Sequence, residues 1–255
     1  MIRRLDESGE RIVIGPRVAL LALSLQCAAR ATVTFLAWRP HMVAVSVDGL
    51  RTFTGSDRAE PVCKVVHTPD CFAVFAGAVE DPRGRFQAMP LAQKACETEG
   101  DIFAKAAAFE TEARQQLQTF WADYKPQLRT IQSADKVVLN VVFAGWRTGA
   151  AGLVLVRFGE TADGGIDVLE RRELPDGRTG SMRYKIGDSK AADTYLERHP
   201  EASRLDPVDF VRTLMSVALE GARSEARPRA GPPAAVFSIV PAGVRWIETG
   251  ACTAP

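Results

Sequence analysis

No stretch of this 255-residue chain approaches the ~20 consecutive apolar residues that a helix needs to cross a bilayer, which argues against an ordinary helical membrane protein. A charge excess is missing too. With 32 Lys and Arg against 31 Asp and Glu, the net charge of +1 creates no overall field to gather nucleic acid or an anionic membrane, and the basic residues from Arg223 to Arg229 are too few to form a tract. Histidine is scarce: His41, His67 and His199 are scattered without ligand spacing. There is no Cys-x-x-Cys pair either, so no metal and no cofactor is expected. The chain also lacks a G-x-S-x-G elbow, a P-loop, an H-E-x-x-H helix and a Rossmann glycine pattern. Serine hydrolase, P-loop, zincin and dinucleotide functions therefore lose their sequence support.

What is present is an ordinary globular composition, 46% hydrophobic and 25% charged. A chain of this length buries roughly 70–75% of its unfolded surface. Without an internal linker or repeat, a single domain over 32–255 is expected behind a distinct N-terminal segment, 1–31. In that segment Arg3, Arg4, Arg11 and Arg17 precede the apolar run Val18 to Leu25, and Ala29-Arg30-Ala31 stands directly before Thr32. A charged region, a short apolar core and an A-x-A site compose a secretory signal peptide, which implies a periplasmic or secreted protein with no membrane attachment after cleavage. The alternatives are an N-terminal strand or a cytoplasmic pro-segment removed by autolysis. Loss of Cys27 would leave Cys63, Cys71, Cys96 and Cys252, an even number suited to an oxidising compartment, with three possible pairings. Cys252 lies in an otherwise loose tail that a disulfide to Cys96 or Cys63 would tie down; four unpaired thiols are the other reading.

After Thr32 the pattern is strand-like. Thr32 to Arg39 and Met42 to Asp48 read as a hairpin around Pro40-His41, Gly49 to Pro61 as a loop, and Val62 to Val66 with Cys71 to Gly77 as a second hairpin. From Ile102 to Tyr124 apolar residues recur at steps of three and four, predicting a helix, preceded by another over Leu91 to Thr98. Strands return at Val137 to Gly145, Gly152 to Gly159 and Ile166 to Leu174. Ser189 and Asp206-Pro207 are caps for two further helices, and the strands Ala234 to Val240 and Val244 to Glu248 close the order. Strands and helices segregated in this way predict an α+β fold over antiparallel sheets.

The chemistry-bearing residues are spaced along those strands. Thr32 follows the cleavage point, Asp48 stands sixteen residues on at the end of the next strand, and Lys64 sixteen beyond that, within the predicted third strand. A threonine hydroxyl is a weak nucleophile, but at a chain terminus its own α-amine, with a reference pKa of ~7.7–8.0, can accept its proton. A lysine ammonium beside that pair would depress the amine's pKa and stabilise developing charge on Oγ, and a carboxylate would hold the lysine in place.

Thr32, Asp48 and Lys64, with this spacing and strand placement, resemble the catalytic set of the proteasome β-subunit branch of N-terminal nucleophile hydrolases. The resemblance extends over the order of strands and helices from Thr32 to about Glu248. It implies a four-layer αββα sandwich of two antiparallel sheets flanked by helices, and cleavage of a peptide or amide substrate through an acyl-enzyme on Thr32. It further implies Gly77 as the oxyanion donor, Gly187, Asp188 and Ser189 as accessory residues, and assembly into homo-oligomers. Gly49-Leu50 after Asp48 and the stretch from Arg223 to Gly231 depart from the family's pattern, which keeps a second reading open: a catalytically inactive subunit serving binding or assembly.

Overall fold

The computed structural model describes residues 32–52, 59–81, 83–129, 136–147, 149–177, 179–187, 189–224 and 230–252. The expected signal peptide and its cleavage site lie outside them, except for Thr32 itself. Strands β1 (Thr34–Arg39) and β2 (Met42–Val47) form the first hairpin, and β3 (Leu50–Thr52) pairs with β4 (Ala59–Pro61). Next come β5 (Val65–His67) and β6 (Cys71–Gly77), helices α1 (Ala88–Glu97) and α2 (Ile102–Arg129), and the meander β7 (Val137–Arg147), β8 (Ala150–Glu160) and β9 (Ile166–Leu174). β10 (Met182–Ile186), α3 (Lys190–Arg198), a short 3₁₀ turn, α4 (Pro207–Arg223), β11 (Ala235–Val240) and β12 (Gly243–Glu248) complete the order.

The strands assemble as two five-stranded antiparallel sheets, ordered β10-β1-β2-β11-β12 and β5-β6-β7-β8-β9, with the β3-β4 ribbon separate. Period-two alternation sends successive residues of β1 to opposite faces. Phe35 and Ala37 join Phe210, Val211 and Leu214 of α4, whereas Leu36 and Trp38 meet Phe72, Val74, Leu153 and Leu155 of the other sheet. Trp38 donates its indole N–H to the Ala151 carbonyl at 2.7 Å, so the most voluminous inter-sheet side chain is also hydrogen-bonded. Against the opposite face of the β5–β9 sheet, α1 and α2 bury Ala92, Phe109, Leu117 and Phe120. Pro126 lies inside α2, and Tyr124 just before it departs from helical backbone angles (φ −123°, ψ 15°), as expected where a ring replaces a hydrogen-bonding N–H.

The four-layer αββα expectation needs correction. The described residues form three sheets rather than two, and strand outweighs helix, 39% to 35%, so the architecture is a sheet-rich, antiparallel fold with four helices. The physical source of the difference is the segment read as a loop: Leu50–Thr52 and Ala59–Pro61 pair with each other, Leu50 opposite Pro61, and build a ribbon of their own. β10 is a strand that the sequence reading did not include: a five-residue edge strand paired with β1, in which Arg183 and Lys185 alternate with Met182, Tyr184 and Ile186. Ser189 and Asp206 do cap their helices, accepting from Ala192 N–H and Val208 N–H. Four of the five cysteines pair, as Cys63–Cys252 and Cys71–Cys96. No helix among the described residues is long and apolar enough to cross a membrane.

Candidate active site

Thr32, Asp48 and Lys64 meet at the end of the first hairpin, all three buried, at 1%, 0% and 7% exposure. Strands β1 and β2 run antiparallel, so the residue before β1 and the residue after β2 finish side by side. Reciprocal bonds from Val33 N–H to Asp48 Oδ1 (2.9 Å) and from Asp48 N–H to the Val33 carbonyl (3.1 Å) lock that corner. Lys64 arrives from outside both strands. Its Nζ lies 2.8 Å from Thr32 Oγ1 and 3.1 and 3.0 Å from the two carboxylate oxygens of Asp48. Lys64 precedes β5 rather than lying within it, which corrects the strand placement read from the flanking valines. Freed from the ladder, its side chain reaches across to the neighbouring sheet.

Asp48 is held by more than the lysine. It also accepts from Leu50 N–H (3.2 Å) and Gly231 N–H (3.4 Å), so its oxygens are surrounded by donors. Gly49 must remain without a side chain here, because a Cβ would fall 1.9 Å from the Pro233 carbonyl oxygen. Close passage of the Pro233 backbone thus explains the absence of a side chain at position 49. Sequence reasoning missed Gly231, since nothing local marks a backbone donor 183 residues from its acceptor. Burial pushes the Asp48 carboxyl above its usual pKa, opposed by Lys64 and by the Val33 and Leu50 N–H groups. Burial pushes the Lys64 ammonium below its usual value, opposed by Asp48.

A cavity of about 230 Å³ opens over Thr32 and Lys64. Val62, Phe75, Val79 and Met89 make its wall apolar, and at its more exposed side Arg51 pairs with Glu80 at 3.0 Å. A nucleophile-type hydroxyl, a cation and a carboxylate at the base of an apolar recess can hold an acyl compound and stabilise charge forming at Oγ. No family model and no curated protein sequence matches the chain.

The remaining residues singled out in the sequence are distributed around this centre. Gly77 ends β6 at φ +108°, between Phe75 and Val79 of the cavity wall, but does not itself line the cavity. Gly187 touches the site directly. At φ +84° it occupies left-handed backbone, and a Cβ there would fall 1.8 Å from the Thr32 carbonyl oxygen. Ser189 lines a recess with Val33, the neighbour of Thr32, and its Oγ accepts from Ala192 N–H at 3.2 Å. Asp188 is outside the described residues.

Proposed function

We propose that this chain is an N-terminal threonine hydrolase of the proteasome β-subunit-like kind, cleaving peptide or amide bonds through an ester on Thr32. The observation that carries the reading is the Lys64 ammonium within hydrogen-bond distance of Thr32 Oγ1 and of both Asp48 oxygens, at the base of an apolar cavity. Hydrolysis of the Ala31–Thr32 bond frees the α-amine, which takes the Oγ proton as Oγ attacks the substrate carbonyl carbon. Lys64 lowers the amine's proton affinity and stabilises the charge developing at Oγ, and Asp48 fixes Lys64; the resemblance adds the Gly77 N–H for the substrate oxygen, a role that requires the substrate to open a path past the Phe75 and Val79 wall. The protonated amine then delivers its proton to the leaving nitrogen, and water hydrolyses the Thr32 ester.

Two disulfides are compatible with an oxidising compartment, so the reading includes export, with a signal peptide over 1–31 and action in the periplasm or outside the cell. The test is covalent labelling. An electrophile that acylates terminal threonine, such as a β-lactone, should add its mass to Thr32 of the processed protein, and Thr32→Ala should abolish the adduct. Lys64→Ala should slow it by roughly 10²–10³-fold, the magnitude typical of a lost charge-stabilising donor. A processed, folded protein that takes up no label would instead leave the binding or assembly subunit.

A further inference from the structure

The stretch that presents Lys64, Val62 to Lys64, belongs to no strand. Its recorded backbone tie to the Asp48 corner is the Val62 N–H to the Gly49 carbonyl, 2.8 Å. The residue immediately before Lys64 is covalently bound to a distant part of the chain: Cys63 joins Cys252 across 189 residues. The turn that ends at Cys252 is itself pressed onto the sheet, since a Cβ at Gly250 would meet Ala234 backbone at 2.7 Å and Ala235 N at 2.8 Å. Ala235 in turn pairs with Val47, the neighbour of Asp48. The bond therefore closes a mechanical circuit from Lys64 through Cys63, Cys252, Gly250, Ala235 and Val47 back to Asp48.

The two disulfides differ in access. Cys71 and Cys96 are fully enclosed, at 0% and 1% exposure, within the core under α1 and α2. Cys63 is partly exposed and faces two clefts, the Thr32 cavity and a neighbouring recess that Met89 and Ala251 also line. A small reductant reaches one bond before the other.

We propose that Cys63–Cys252 is a redox latch that holds Lys64 against Asp48 and Thr32 and is opened selectively by a dithiol. One thiolate of the dithiol attacks a sulfur of the pair and expels the other as thiolate. The second thiol resolves the mixed disulfide, so two electrons and two protons pass to Cys63 and Cys252 and the dithiol leaves as a cyclic disulfide. With the latch open, the Cys63–Lys64 stretch relaxes away from the corner. The consequence for activity rests on the hydrolase reading; the latch does not. Together with cleavage before Thr32, it makes competence depend on a second condition, arrival in an oxidising compartment.

The protein is titrated with dithiothreitol, alkylated with iodoacetamide and weighed intact, with peptide mapping of the sites. Two added groups, on Cys63 and Cys252, are expected before any on Cys71 or Cys96. The Lys64 13Cε resonance, identified by its loss in Lys64→Arg, then reports position without requiring activity. Its charged neighbours are Asp48, the Thr32 α-amine once the chain is processed and, across the cavity, Arg51 and Glu80. Reduction, or Cys252→Ser, should move its titration midpoint toward that of an ordinary lysine, ~10.4, and slow Thr32 labelling at least tenfold. Simultaneous alkylation of Cys63, Cys71, Cys96 and Cys252, an unchanged Lys64 titration, or loss of the near-ultraviolet spectrum on mild reduction would each overturn the latch. An oxidised, processed protein that never labels would sink the hydrolase reading instead, leaving the latch to be judged on Lys64 alone.

Discussion

A buried lysine beside a buried carboxylate is tolerable only while both are present. Lys64→Met keeps most of the side-chain length and removes the charge, leaving Asp48, at 0% exposure, with backbone donors alone. A loss of about 3–5 kcal/mol is expected in urea denaturation, and Asp48→Asn added to it should restore most of that. Equal instability of the single and double variants would show that the pair itself stabilises the fold. The same pair sets a pH profile for labelling of the processed chain. Lys64 acts charged, and burial lowers its pKa from 10.5, so the rate should fall as pH rises through a value below that. The acid limb belongs to the α-amine, ordinarily ~7.7–8.0 and depressed further by Lys64. An alkaline limb at or above 10.5 would contradict the assignment. The trio was legible because its residue types and equal spacing fit one chemistry; the donors from Gly231 and Leu50 were not, because any residue can supply a backbone N–H.

At the scale of elements, alternation and capping were legible wherever a segment buries one or both faces. β1, β2 and β6 fall where the strand-like runs placed them, α4 begins at its Asp206-Pro207 cap, and α2 begins where the apolar steps of three and four do but continues past Tyr124 to Arg129; these segments bury Phe35, Phe75, Leu214 and Phe109. The β3–β4 ribbon was missed for the converse reason, since its two strands pair with each other and leave little apolar pattern; β10 does alternate, Met182, Tyr184 and Ile186 facing the inter-sheet core, but over only five residues at a sheet edge. The Gly187–Ser189 connection between β10 and α3 separates two roles that sequence could not. Gly187→Ala, which drives a Cβ into the Thr32 carbonyl, should destabilise the fold and displace the nucleophile, seen as a lowered melting temperature together with lost labelling. Ser189→Ala removes a helix cap and should cost about 0.5–2 kcal/mol, measured by the same denaturation. A labelling defect far larger than that stability loss would make Ser189 an accessory residue after all.

For the whole molecule, the four cysteines left after loss of Cys27 suggested bonding but left the pairing open, because residues 63 and 252 lie 189 apart in the sequence and only the tertiary fold makes them neighbours. Assembly is likewise a question for the intact protein: light scattering at micromolar concentration should show the homo-oligomer that the resemblance implies, and a monomer would leave a stand-alone hydrolase. The N-terminal segment permits a sharper decision. If Ala29-Arg30-Ala31 is a signal-peptidase site, export itself creates the free threonine amine, and the precursor stays inert in the cytosol, where the Cys63–Cys252 latch would also be open. Thr32→Ala should then still be processed, because signal peptidase reads the residues before the scissile bond. If instead the chain cuts itself, Thr32→Ala should accumulate as the precursor, since the attacking Oγ is gone. Intact mass and N-terminal sequencing of both proteins are expected to show native chains beginning at Thr32 and the variant beginning at the substituted alanine. A mature native chain still starting at Met1 would end the catalytic reading, for an internal Thr32 has no α-amine to take its proton.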